Sequence, residues 1–332
     1  MKQPSQRVLL PSETTYEAAC AVLRGGGLVA IPTETVYGLA ADAENPVAVA
    51  GIFTAKERPA GHPLIVHVAA TAQARELASE WPAAAAALAE EFWPGPLTMI
   101  VPRGPRIPDI VTGGRPGVAL RVPAHPVALA LLRAFGGPLA APSANRHEHL
   151  SPTRAAHVLE SLGDRVDLIV DGGPTRAGIE STLVDLTVDP PRVLRPGPLA
   201  LSVLRAVVPT LEAPASPLIE AGEVHSSPGL SRRHYAPRIP LFLVSAEELS
   251  GAAMAPGVVW LARSVSPDGR GRRLPDDPAG YAEALYAALH ALEALPGADR
   301  ILVERAPPDE AWNAIADRLF RASANGGSGN FS

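Results

Sequence analysis

Pro209, Pro214, Pro217, Pro228 and Pro237 follow one another closely in the middle of this chain. A proline has no backbone N–H and a fixed φ, so neither a helix interior nor a central strand survives that spacing. The stretch from about 206 to 238 therefore reads as a connection, and the chain divides into two blocks around it. With 332 residues in all, there is enough chain for two domains and a sizeable core.

In the first block, short apolar runs at 28–31, 64–68, 97–101, 118–122, 139–141, 168–170 and 182–186 read as strands. Helices are expected over 14–24, capped by Thr14 or Thr15 and stopped by the glycines at 25–27, and from the Asn45-Pro46 start to Lys56. Further helices are expected at 82–92, 126–135 and 153–161. Strands mixed with helices in this way argue an α/β domain with a twisted sheet. After 238 the pattern restarts, with strands at 241–244, 258–262 and 300–304 and helices at 279–295 and 308–321, as in a small Rossmann-like domain. The tail over 323–332 is rich in Gly and Ser and is expected to be disordered.

Composition excludes several classes of function. A net charge of −5 is unlike that of a nucleic-acid binder. Cys20 is the single cysteine, so no intramolecular disulfide and no CxxC motif can form. Residues 1–12 lack the apolar stretch of a signal peptide, and no apolar run reaches membrane-spanning length, so the cytoplasm is the expected compartment.

Among 29 Lys and Arg residues, only Lys2 and Lys56 are lysine. In a chain so biased toward arginine, a lysine inside the fold points to a need for a compact point charge rather than a planar fork. No Walker A motif surrounds it, and no Gly-x-Gly-x-x-Gly loop follows a strand. A nucleotide site must then be assembled from separated side chains. Lys56, Arg58 and Arg195 can neutralise phosphates, while Ser143 and Asn145 add neutral hydrogen bonds where strand 139–141 ends, or simply make a turn. If the strand at 28–31 runs past Pro32, then Thr33, Thr35 and Tyr37 share one face and Glu34 points away. Arg121 lies inside an apolar strand and needs an anionic partner. His67 ends another and is expected at the sheet edge. His147-Glu148-His149 has no third ligand, and a dedicated metal site is rejected.

These residues belong to an ordered set of motifs: Pro32-Thr33-Glu34-Thr35-Val36-Tyr37-Gly38, Lys56-Glu57-Arg58-Pro59, Pro63-Leu64-Ile65-Val66-His67 and Phe92-Trp93-Pro94-Gly95-Pro96-Leu97-Thr98. Arg121-Val122-Pro123, Ala141-Pro142-Ser143-Ala144-Asn145, Glu180-Ser181-Thr182 and Arg195-Pro196-Gly197 come next. Over residues 12–200 the chain resembles the YrdC family of L-threonylcarbamoyladenylate synthases. Ser227-Pro228-Gly229-Leu230-Ser231-Arg232-Arg233-His234-Tyr235-Ala236-Pro237 resembles the linker of the long, two-domain form.

The resemblance implies a YrdC-like twisted mixed sheet with helices at 12–200, a linker at 201–238 folding over the active site, and the small Rossmann-like domain at 239–322. It implies a nucleotidyltransferase that joins L-threonine, bicarbonate and ATP for threonylcarbamoyladenosine modification of tRNA. Lys56, Arg58, Ser143 and Asn145 would serve catalysis. His62, Gly117, Ser151, Arg195 and Tyr235 would join Lys56, Arg58 and Ser143 in binding ATP, with Mg2+ carried on the nucleotide. Thr35, His67, Arg121, Ala141 and Ser181 would hold L-threonine. The product would pass to the tRNA threonylcarbamoyl transferase, with direct tRNA binding weak or absent. His62, Gly117 and Leu230-Ser231 depart from the family pattern, where Asn or Lys, Thr, and Met-Lys are more usual. Related domains imply two rivals, a double-stranded RNA-binding module and a carbamoyltransferase-type domain.

Overall fold

The computed structural model describes residues 7–214 and 234–323. Residues 1–6, residues 215–233 of the linker with Arg232 and Arg233, and the tail from 324 lie outside the described residues.

Ten strands form one mixed sheet: β1 (Val8–Leu9), β2 (Val29–Ile31), β3 (Gly38–Asp42), β4 (Ile65–His67), β5 (Leu97–Pro102), β6 (Gly117–Arg121), β7 (Leu139–Ala140), β8 (Leu168–Val170), β9 (Thr182–Asp185) and β10 (Arg192–Arg195). Their spatial order is β1-β8-β2-β3-β7-β4-β6-β5-β9-β10. Four more strands, β11 (Leu241–Val244), β12 (Val258–Ala262), β13 (Gly271–Arg273) and β14 (Arg300–Glu304), make a separate, all-parallel sheet in the order β11-β14-β12-β13. The α/β class and the two-sheet division match the sequence expectation.

Local chemistry explains most element ends. Helix Pro46–Lys56 starts on Asn45, whose side chain accepts from the Val47 and Ala48 amides, with proline in the first turn. It stops because Glu57 turns left-handed at φ 53°, after which the Arg58 amide bonds back to the Phe53 carbonyl at 2.9 Å. The first helix, Glu13–Arg24, is capped earlier than expected: Ser12 Oγ accepts from the Thr15 amide at 3.1 Å. Thr15 itself donates to the Leu10 carbonyl. β1, β3, β10 and β13 are additional to the expected strands; Gly-Leu-Ala-Ala-Asp of β3 and Gly-Arg-Arg of β13 carry no β-branched signal, and pairing alone makes those two strands.

Apolar side chains pack the sheet against its helices, with Val66, Met99 and Leu120 in the main core and Val29, Ile31 and Leu139 in a second cluster with residues of helices Glu13–Arg24 and Pro126–Phe135. A further cluster joins Val36, Leu150, Ile179 and Tyr235 to Tyr281, Leu285 and Leu289, so the two units share a continuous apolar seam. Gly178 makes that approach possible. It has φ 69°, and a Cβ there would lie 2.2 Å from the Ala282 carbonyl oxygen of helix Pro278–Glu293.

Candidate active site

A cleft lies against the larger sheet. Ile65 and His67, two residues apart on β4, share one face, and His67 pairs in register with Arg121 of β6. The loop 32–37 forms one wall, residues 141–143 another, and Glu180, Ser181, Arg195, His234 and Tyr235 the side nearest the second unit. His67, Arg121 and Arg195 end their strands, and Ala141 and Ser143 follow β7, so much of the lining lies at the carboxyl ends of strands.

Residues 32–37 do not continue β2. Thr33 Oγ1 donates to the Val36 carbonyl at 2.6 Å and accepts from the Thr35 and Val36 amides at 3.2 Å, which closes a turn. The expected alternation is lost as a result. Tyr37 leaves the cleft, and its hydroxyl donates to the Gly173 carbonyl at 2.7 Å. Glu34 does the opposite of what was expected and faces Arg121, with Oε1 2.6 Å from Nη2 in an ion pair close in distance but poorly aligned for hydrogen bonding.

Arg121 is 3% exposed and has two further bonds, from Nη1 to Thr35 Oγ1 at 2.9 Å and from Nε to the Gly95 carbonyl at 3.2 Å. The charge that the sequence places inside an apolar strand therefore has an internal carboxylate partner and still borders the cleft. Beside it, His67 is buried within the sheet, not at its edge, because β4 lies between β7 and β6. Burial, and then the Arg121 charge, push its pKa down to about 3, and Nδ1 has no protein partner. A neutral imidazole with an open nitrogen is thus presented beside a guanidinium.

Lys56 is 1% exposed and lies under the cleft rather than on its surface. Its Nζ donates to the carbonyls of Ser143 and Asn145 at 2.5 and 2.6 Å, and its own carbonyl accepts from the His147 amide at 2.8 Å. The lysine clips the loop 143–147 from both ends. Burial, then Arg58, push its pKa well down. Asn145 works in the same loop, donating from Nδ2 to the Arg146 and His149 carbonyls at 2.8 Å each. Arg58, by contrast, lines the cleft, with Nε unpartnered and a pKa lowered by burial to about 10.

On the far side, Arg195 donates from Nε and Nη2 to the Ser181 carbonyl at 3.2 and 3.0 Å, from Nη2 to Ser181 Oγ at 3.2 Å and from Nη1 to the Tyr235 hydroxyl at 3.4 Å. Ser181 Oγ also lies 2.7 Å from Thr98 Oγ1. Tyr235 holds a left-handed backbone, φ 60°, and is fixed by its neighbours: the His234 amide donates to the Arg321 carbonyl and the Ala236 amide to the Glu148 carbonyl. His234 is buried, and its pKa is pushed well down by burial and then by Arg58, His147, Lys56 and Arg195.

Of the residues the sequence singles out, the cleft walls bring together Thr35, Arg58, His67, Arg121, Ala141, Ser143, Ser181, Arg195 and Tyr235. Lys56 and Asn145 stand behind it, and Ser151 is fully buried with its hydroxyl donating to Glu180 at 2.5 Å. His62 packs its ring 5.4 Å from His147, and Gly117 starts β6 where a Cβ would meet Ile100 Cγ2 at 2.6 Å; neither lines the cleft. Glu34, Glu180 and His234 have no role on sequence grounds alone. All three sit inside the family motifs, and a buried carboxylate next to a buried arginine is the signal that could have found the first two. No group of three or more metal-ligating side chains occurs among the described residues. No helix there is long and apolar enough to cross a membrane.

Comparison with known proteins places the whole chain in one family. The family model described as "Telomere recombination" matches residues 21–197, and "Threonylcarbamoyl-AMP synthase, C-terminal domain" matches 200–324. The chain is 45% identical over 232 residues to the threonylcarbamoyl-AMP synthase of Pyrococcus abyssi, covering 70% of this chain and 68% of that one. Against the Bacillus subtilis protein of the same name it is 40% identical over 323 residues, 92% of each. The crystal structure of P. abyssi Sua5 complexed with L-threonine superposes with a TM-score of 0.90 at 37% identity, covering 96% of this chain and 97% of that one. Neither relative carries the name of an RNA-binding module or a carbamoyltransferase. With both domain models matched in order along its length, the chain belongs to the threonylcarbamoyl-AMP synthase family.

Proposed function

We propose that this chain joins L-threonine, bicarbonate and ATP into L-threonylcarbamoyl-AMP, releasing pyrophosphate and water. The observation that carries the reading is the pairing in one cleft of an amino-acid-sized polar corner with a cationic wall. Arg121, Thr35 and His67 make the corner, and Arg58 and Arg195 line the wall. Membership of the family and the likeness to a threonine-bound relative support it.

On this reading Arg121 pairs with the threonine carboxylate, while Thr35, His67, Ala141 and Ser181 shape the pocket for the side chain and amine. The amine adds carbon dioxide and loses a proton, giving a carbamate. A carbamate oxygen then attacks the α-phosphorus, a new P–O bond forms, and the bond to pyrophosphate breaks. No protein nucleophile is needed; alignment and positive charge do the work. Arg58, Arg195 and Ser143 face the triphosphate, with Tyr235 beside Arg195 and Ser151 acting behind the wall through Glu180, while His62 and Gly117 lie outside the cleft. Lys56 and Asn145 fix the loop that carries Ser143. Glu34 and Glu180 already face Arg121 and Arg318, and only Glu180 lines the cleft, so the donor set suits a Mg2+ that arrives on the ATP phosphates as part of the substrate. The mixed anhydride goes on to the tRNA threonylcarbamoyl transferase in the cytoplasm, and a net charge of −5 fits weak or absent direct tRNA binding.

Incubation with radiolabelled bicarbonate, L-threonine and ATP, followed by rapid chromatography, tests the reading. One labelled adenylate should form only when all three are present, with pyrophosphate in equal amount. Pyrophosphate release that does not depend on threonine, or no labelled product, would overturn it.

A further inference from the structure

Glu180 lines the cleft one residue before Ser181, yet it is 6% exposed. Its Oε1 accepts from Ser151 Oγ at 2.5 Å, and its Oε2 accepts from Arg318 Nε at 2.7 Å and from the Tyr286 hydroxyl at 3.1 Å. Arg318 also donates from Nη2 to the Glu180 backbone carbonyl at 3.3 Å and from Nη1 to Asp317 at 2.7 Å. Its guanidinium carbon stands 5.2 Å from the centre of the Tyr235 ring. Tyr286 and Arg318 come from helices Pro278–Glu293 and Asn313–Ala322 of the second unit, 106 and 138 residues along the chain from their partner. The synthase reading gives neither of them a role.

A pair of this kind is a poor way to glue two domains. Arg318 has a side-chain exposure of 0%, and the desolvation of two charges offsets most of their attraction, so apolar side chains of equal volume would hold the seam as well or better. Its effect on the cleft is more distinctive. Bicarbonate and ATP are anions and threonine brings a carboxylate into the cleft, and an ionised carboxylate in the wall repels such groups unless a cation lies against it. Arg195 bonds to Ser181 and Tyr235, so the cation hydrogen-bonded to Glu180 is Arg318.

We propose that Arg318 and Tyr286 are positioning residues which the second unit supplies to the cleft of the first: they neutralise and fix Glu180, and through it hold Ser181 and Arg195 in place for an anionic substrate. The proposal rests on the synthase reading. It gives the second sheet a share in forming the site. Burial pushes the Glu180 carboxyl up, but Arg318, then Arg195 and the Ser151 hydroxyl, outweigh it and hold the group below its usual range.

The test is Arg318→Met in the full chain, with Arg318→Met/Glu180→Gln beside it. The groups that face Glu180 are Arg318 and Asp317 from one helix, Tyr286 from another, Arg195 of β10, and Tyr235. Without Arg318 the buried carboxyl titrates above its unfolded value, and a group raised in this way loses its stabilising contribution as pH rises. The unfolding midpoint of Arg318→Met should therefore fall further below wild type between pH 5 and pH 8, and Glu180→Gln in that background should abolish the trend. Threonine affinity by calorimetry at pH 8 should drop about tenfold or more in Arg318→Met, return to within about threefold in the double variant, and lie between for Arg318→Lys. Glu310→Ala, which breaks an exposed bond to the Ser202 amide across the same seam, should leave affinity unchanged. If Arg318→Met does not fold, Tyr286→Phe removes one donor alone and should cost about two- to fivefold. A loss in Arg318→Met that is independent of pH and unrescued by Glu180→Gln, or no loss, overturns the proposal. A wild-type chain that binds neither threonine nor ATP defeats the synthase reading instead, while the pH trend still reports on the Arg318–Glu180 pair.

Discussion

Replacing Lys56 with methionine separates two jobs for that side chain: holding a loop and meeting a phosphate. Methionine keeps the length and removes the ammonium, leaving the Ser143 and Asn145 carbonyls without the donor now 2.5 and 2.6 Å away. A buried acceptor left unsatisfied costs about 1–3 kcal/mol, so the two together cost about 2–6 kcal/mol. Part of that returns, because the charged ammonium is itself expensive to bury beside Arg58. A net loss of about 2–4 kcal/mol is expected in the protein without ligands. Arginine fares no better, since a larger planar group in a site 1% exposed overpacks it by about 1–3 kcal/mol.

Activity should fall with stability. The same loop carries Ser143 into the cleft, and a shift of about 1 Å in a positioning group costs on the order of a hundredfold in rate. Denaturant unfolding of wild type, Lys56→Met and Lys56→Arg gives the first quantity, and initial rates of labelled adenylate formation give the second. Threonine affinity, which the proposal assigns to Arg121 and Thr35 on the opposite wall, should change little. Unfolding free energies within about 0.5 kcal/mol of wild type, together with a rate deficit, would refute loop-holding and leave only the direct contact with phosphate. Wild-type turnover in Lys56→Arg would refute both.

Arg121→Ala should mainly raise the KM for threonine, with ATP binding in its absence little changed, and should cost about 3–5 kcal/mol of stability because Glu34 is left buried and unpaired. Adding Glu34→Gln should restore stability but not threonine affinity; calorimetry showing weakened ATP binding and normal threonine binding would reverse the assignment. His67, with a folded pKa of about 3 against an ordinary value near 6.5, gives stability that is complete above pH 6.5 and is lost as pH falls through the window between those values. At pH 5 the loss is about 2 kcal/mol, and urea unfolding of His67→Asn should show a pH dependence shallower than that of wild type by that amount. Parallel curves for the two proteins would mean that the ring is protonated in the fold.

Much of the fold is legible in the sequence because proline and glycine punctuate it. The Asn45-Pro46 helix start, the break between the two units and the strands at 168–170, 241–244 and 258–262 arise from residues that act on their own backbone. β3 and β13 are hidden because their residues become strands only through the strands they pair with. The site divides the same way. Arg121 announces itself as a charge among apolar residues, and its partner has to be an anion. The identity of the anion within the fold is what the sequence conceals, since extending β2 through Pro32 puts Glu34 on the wrong side. The Thr33 turn, formed by one hydroxyl and two amides, reverses that geometry, and strand alternation cannot foresee it.

The buried charges obey a common rule. Arg121 faces Glu34, Arg318 faces Glu180, and Lys56 donates to two carbonyls, so each is fixed by protein atoms before any ligand arrives. A cation held this way need not reorganise when an anion enters, and that is the condition under which fixed charges are most useful to a reaction that builds up negative charge. It also explains why the arginines cannot simply be read as contacts to substrate. Part of the hydrogen-bonding capacity of Arg121 is already committed to the fold and only the remainder faces the cleft, while Arg318 does not line the cleft at all. Arg58 is the exception. It has a long bond, 3.4 Å to the Pro63 carbonyl, and an unpartnered Nε in the cleft wall. Its pKa is lowered to about 10 mainly by burial, the mark of a charge whose stabilising partner is not part of the fold. Of these buried cations, Arg58 is the one the fold leaves least satisfied, and the proposed contact with the triphosphate would supply the missing partner.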